Sequence, residues 1–132
     1  MKAYFIVIMV LFSLNSAQAQ YDVSTSFPGG QAAYNVFIQE NLSYPNSALD
    51  ARSNRIIKVL VNVDSSGVLT IDTFLLPYSG LGFEEEVTRF ISIMPAWDPA
   101  IHNGRLASSQ VILQYNFTYQ DQTDRALEEI EY

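Results

Sequence analysis

Apolar and polar residues alternate most clearly in three stretches of the chain. From Arg55 to Asp64, Ile57, Val59, Val61 and Val63 alternate with Lys58, Asn62 and Asp64, a period of two that predicts a strand with one buried face. Ile56 and Leu60 fall on the opposite face, which predicts partial cover there as well. "VLTIDTFLLPY" (Val68 to Tyr78) predicts a second strand. "DSSG" (Asp64 to Gly67) joins the two as a hairpin turn, and Pro77 ends the pair because it cannot donate to a ladder. The third stretch sets Val111, Leu113, Tyr115, Phe117 and Tyr119 against Gln114, Asn116 and Thr118. It predicts the longest and cleanest strand.

Two segments have helical spacing instead. In "QAAYNVFIQENL" the apolar set is Ala33 and Phe37 with either Tyr34 or Val36, then Ile38, predicting a helix over Gln31 to Leu42. Pro45 stops it, and Asn46 or Ser47 is placed to cap one more turn. "SGLGFEEEVTRFISIM" puts Phe83, Val87, Phe90, Ile91 and Met94 on one stripe, the plainest amphipathic helix of the chain. Glu84, Glu85 and Glu86 occupy its first turn. Consecutive helical residues point about 100° apart, so these carboxylates do not converge on one ion, and their expected use is to complement the positive helix terminus.

Between this helix and the last strand lies "MPAWDPAIHNGR", with the sole Trp (Trp97), the sole His (His102), Pro95 and Pro99. It reads as a structural joint: Trp97 plugs the seam between helix and sheet, the prolines stiffen the crossing, and Asn103-Gly104 makes the final turn. His102 is expected in solvent. Helix, strand, turn, strand, helix, loop and strand together predict an α+β domain, a three-stranded antiparallel sheet with two helices packed on one face.

The start of the chain changes this picture. "MKAYFIVIMVLFSLNSAQAQ" has Lys2, an apolar run and Ala17-Gln18-Ala19, the layout of a secretory signal peptide over residues 1–19. The run from Ala3 to Leu14 makes about 18 Å of helix, short of the roughly 30 Å of a bilayer core. An exported, periplasmic protein is expected, with an uncleaved inner-membrane anchor as the alternative. Residues 20–26 read as a short loose segment, 27–119 as the domain and 120–132, "QDQTDRALEEIEY", as an acidic tail.

At 132 residues, 48% hydrophobic and 16% charged, the composition is that of one globular domain. Cysteine is absent, which excludes disulfides and thiol chemistry. A net charge of −7 with no basic cluster speaks against nucleic acid as a partner. One His without Cys does not supply the usual zinc set, no G-x-S-x-G elbow occurs, and the glycines of "PGGQ" and "SGLGF" lack a phosphate-loop lysine. No catalytic or metal residue and no small-molecule cofactor is expected, and the chain does not read as an enzyme.

The ordered set "FPGG" (Phe27 to Gly30), Tyr44-Pro45 with Ala48 following, the hairpin "V-x-V-x-V-D-x-x-G-x-L" (Val59 to Leu69), "MPAWDPAIHNGR" and a closing alternating strand resembles the C-terminal domain of TonB in its Bacteroidota form. The resemblance covers Phe27 to Tyr119. It implies a periplasmic protein-binding module, linked to TonB-dependent transport, that takes the N-terminal box of an outer-membrane transporter as an added strand. Carried over by position, Asn41, Tyr44 and Pro45 belong to the segment that helps hold the box. Val111, Ile112, Leu113, Gln114, Tyr115, Asn116 and Phe117 belong to the strand that pairs with it. The family often has Gly where this chain has Ser53-Asn54-Arg55. Force-transmitting members carry a spanning N-terminus and a Pro-rich linker, whereas residues 20–26 alone separate leader from domain, so a free-standing module is expected. The alternatives are a structural or surface protein that self-associates as a homodimer through the same strand, and a small secreted hydrolase using His102.

Overall fold

The computed structural model describes residues 21–120; the expected leader and all of the expected tail beyond Gln120 lie outside the described residues. The elements run α1 (Gly30–Asn41), a single 3-10 turn (Asn46–Ala48), β1 (Arg55–Val63), β2 (Leu69–Phe74), α2 (Phe83–Ser92), β3 (Ala100–His102), β4 (Arg105–Ala107) and β5 (Ser109–Phe117). The domain is α+β, with a three-stranded antiparallel sheet ordered β2-β1-β5. Among the described residues no helix is long and apolar enough to cross a membrane.

β1 is the central strand because its valines suit a doubly paired position. Ile57, Val59, Val61 and Val63 are buried under the helices. The Asp64 carboxylate accepts from the N–H of Ser66 at 2.8 Å and of Val68 at 3.0 Å, an Asx-type closure of the hairpin. β2 is shorter than its sequence suggests. Its register slips between Thr73 and Ile71, opposite Leu60 and Val61, and it ends at Phe74, leaving Leu75 and Leu76 largely exposed ahead of Pro77. β1 and β5 have nine residues each, so the last strand is not the longest. On the far face of the sheet Ile56 and Ile112 are 46% and 63% exposed among the described residues.

α2 buries Phe83, Val87, Phe90 and Ile91, as its stripe predicts. α1 buries no residue fully. Ala33, Tyr34, Phe37 and Ile38 lean on the core while Val36 stays exposed, which settles the choice between Tyr34 and Val36. Neither Asn46 nor Ser47 caps the 3-10 turn through its side chain. The Ser47 hydroxyl instead donates to the Leu81 carbonyl at 2.8 Å, tying the turn to the approach of α2.

Two expectations are corrected in the joint. The stretch before the last strand is not a loop: β3 and β4 form a second small sheet, closed by Asn103 (φ 52°) and Gly104 (φ 74°), the left-handed pair that a two-residue hairpin turn requires. The segment before Phe27 is not loose. Val23 and Ile101 exchange backbone bonds of 2.8 and 2.9 Å, and Ser26 and Asp98 exchange bonds of 3.1 and 2.9 Å, so it lies along the β3 side of the hairpin. Trp97 is buried, with its ring edge-on to Phe27 and Tyr34. The Trp97 backbone N–H donates to the Gly67 carbonyl at 2.9 Å, joining the connection to the first hairpin turn.

Candidate functional site

The Lys58 carbonyl accepts from Leu75 and the Asp64 N–H donates to Val68, so the even-numbered residues of β1 direct their backbone groups at the β2 side. Backbone direction alternates along an antiparallel strand. Ile57, Val59, Val61 and Val63 therefore face β5, where the register sets them against Tyr115, Leu113, Val111 and Ser109. The intervening residues Gln110, Ile112, Gln114 and Asn116 aim their N–H and C=O groups away from β1. Among the described residues no strand pairs with that edge.

The side chains sort the other way. Val111 is half-buried, and Leu113, Tyr115 and Phe117 are buried under the helices. Gln110, Ile112, Gln114 and Asn116 stand on the open face, where the Gln110 amide donates to Asn62 at 2.8 Å and the Gln114 amide to Asn116 at 3.1 Å. The edge is thus a row of free backbone groups beside the seam between β5 and α1.

Two depressions open along this seam. One, of about 260 Å³, lies where Phe27, Tyr34 and Trp97 meet Val111 and Leu113. The other, of about 460 Å³, is walled by Ile38, Leu42 and Tyr44 on one side and Asn116, Phe117 and Thr118 on the other. Among the described residues no charged side chain lines either. Between them the Tyr34 and Tyr115 hydroxyls meet at 2.7 Å and close the seam. Burial pushes both phenols above their ordinary range, so the pair is neutral and its hydrogen bond is an uncharged one.

The residues singled out in the sequence separate into wall and support. Tyr44 reaches the larger depression together with Asn116 and Phe117. It is fixed there by a 2.8 Å bond from its hydroxyl to the Ser53 carbonyl and by edge contacts with Phe83 and Tyr119. Asn41 and Pro45 do not line it. The Asn41 amide donates to Phe37 at 3.0 Å and its carbonyl accepts from Arg89 at 2.6 Å, while Pro45 precedes the 3-10 turn. Both hold the ends of Leu42–Tyr44 in place. Phe27, Tyr34 and Trp97 escaped the sequence reading as groove residues because their spacing marks them equally as core.

The three carboxylates of α2 reach three separate partners. Glu84 is buried and accepts from the Ser79 N–H at 2.8 Å and hydroxyl at 2.6 Å. Glu85 accepts from the Tyr78 hydroxyl. Glu86 accepts from the Ser43 N–H at 2.9 Å and pairs with Arg89, and the Arg89 hydrogen bond holds its carboxyl below the usual range. Beyond complementing the helix terminus, they fasten two neighbouring loops to α2. His102 is exposed, with Nδ1 3.2 Å from the Asp22 carboxylate, which also accepts the Asn103 N–H at 3.0 Å. The pair pins a turn in open solvent.

Neither the models of known protein families nor the curated proteins match this chain.

Proposed function

We propose that this domain binds an extended polypeptide segment as an added strand on the outer edge of β5. The observation that carries this reading is the run of outward backbone groups at Ile112, Gln114 and Asn116, unpaired among the described strands and set beside a seam whose described lining residues are uncharged. Unpaired strand edges template a further strand, and main-chain bonds with alternate side-chain pockets are how such complexes form. Each added bond contributes about 0.5–1.5 kcal/mol net, opposed by the cost of association. Micromolar, transient binding follows.

The resemblance to the TonB C-terminal domain names the partner: the N-terminal segment of an outer-membrane TonB-dependent transporter, met in the periplasm after export. The test is titration of the isotope-labelled protein with such a peptide. Amide signals of Ile112, Gln114 and Asn116 are expected to move ahead of those of Leu113 and Tyr115. No movement at millimolar peptide overturns the proposal. A mass that rises with concentration in sedimentation assigns the edge to a second copy instead.

A further inference from the structure

We propose that the β5 seam selects its guest by sequence: an extended segment with two uncharged apolar side chains four residues apart and a small residue midway. The inference rests on the strand-addition reading and specifies what that strand must contain.

On an added strand, the side chains facing the helices stand opposite those of β5 that do the same, Leu113, Tyr115 and Phe117, at positions i, i+2 and i+4. The smaller depression lies beside Leu113 and the larger beside Phe117. Four residues of strand span about 13 Å, which brings one guest side chain to each. The middle position meets the Tyr34–Tyr115 hydroxyl pair, where α1 and β5 are joined across the seam. A bulky side chain there has to break that contact or lift the strand off the edge. Among the described residues neither depression offers a charged partner, so there a Lys, Arg, Asp or Glu at an anchor position is desolvated without compensation. The intermediate positions, i+1 and i+3, project to the open face beside Ile112, Gln114 and Asn116, where Lys or Thr is tolerated.

The probe is a capped nonapeptide of alternating Thr and Lys, with leucine at its third and seventh positions and alanine at its fifth, titrated into the full-length protein. Replacing either leucine by alanine is expected to weaken binding about ten- to a hundredfold, the value of one buried leucine side chain. Replacing the central alanine by tryptophan is expected to weaken it by a similar factor. Moving the second leucine to the sixth position turns it to the open face and is expected to act like its removal. If the peptides perturb the Gln114 and Asn116 amides with affinities indifferent to these changes, the selection proposal is overturned and strand addition stands. If no peptide of the series perturbs them, both fall.

Discussion

Gly67 shows how much of this fold rests on one missing side chain. It sits at φ +83°, and a Cβ placed there would come within 1.9 Å of the Trp97 carbonyl oxygen and 2.9 Å of its carbon. Backbone cannot retract as a flexible side chain does, so Gly67→Ala has to separate the hairpin turn from the Trp97 joint as well as adopt a disfavoured φ. The expected cost is about 2–4 kcal/mol, measured by urea unfolding. Gly30 has a similar φ of +81° but open space around its Cβ position. Gly30→Ala therefore isolates the conformational part, about 1 kcal/mol. Equal losses at the two positions would mean that the close approach to Trp97 contributes nothing. Removing the ring itself, by Trp97→Ala, is expected to cost about 3–5 kcal/mol, because Phe27 and Tyr34 lose the surface they pack against.

At the scale of elements, α2 and the α1–β5 seam respond to pH in opposite directions. Glu86 has a depressed pKa in the fold, so the folded state binds fewer protons than the unfolded chain in the acid range. Its contribution is complete above the ordinary glutamate value of about 4.3 and is lost as pH falls through the lower folded value. In Glu86→Gln the acid limb of a stability-against-pH curve is expected to flatten, because Arg89 loses its ionic partner and the Ser43 N–H keeps only a neutral acceptor. Tyr34 and Tyr115 have raised values, so their contribution is complete below the ordinary phenol value near 10 and declines as pH rises above it. Tyr34→Phe leaves the Tyr115 hydroxyl buried without its partner and is expected to cost about 1–3 kcal/mol at neutral pH. An alkaline limb of stability identical to that of the wild type would show that the pair does not couple α1 to the sheet.

For the whole molecule, the parts legible in the sequence were those dictated by side-chain period. The alternation of Ile57 to Val63 and of Val111 to Phe117 identified the two long strands, and the stripe from Phe83 to Ile91 identified α2. Illegible were features set by backbone pairing between distant segments: the strap of Val23 and Ser26 along the joint, and the β3–β4 ladder, whose three-residue strands are too short to show a period. The groove was half legible. The sequence singles out Tyr44 and the last strand, which line its walls, but Phe27, Tyr34 and Trp97 gather at its other end through tertiary packing, which no local pattern encodes. Strand order carries the functional reading, and hydrogen exchange checks it directly. With β1 between two neighbours and β5, among the described residues, bonded on one side, amides of Leu113 and Tyr115 are expected to exchange slowly, and those of Ile112, Gln114 and Asn116 near the unprotected rate. The same parity governs substitution: Gln114→Pro removes an outward N–H and should leave folding nearly unchanged, while Leu113→Pro removes a ladder bond to Val59 and should unfold the sheet. Uniform protection along Ile112 to Asn116 in dilute solution would mean that the edge is already covered, leaving no place there for a guest strand.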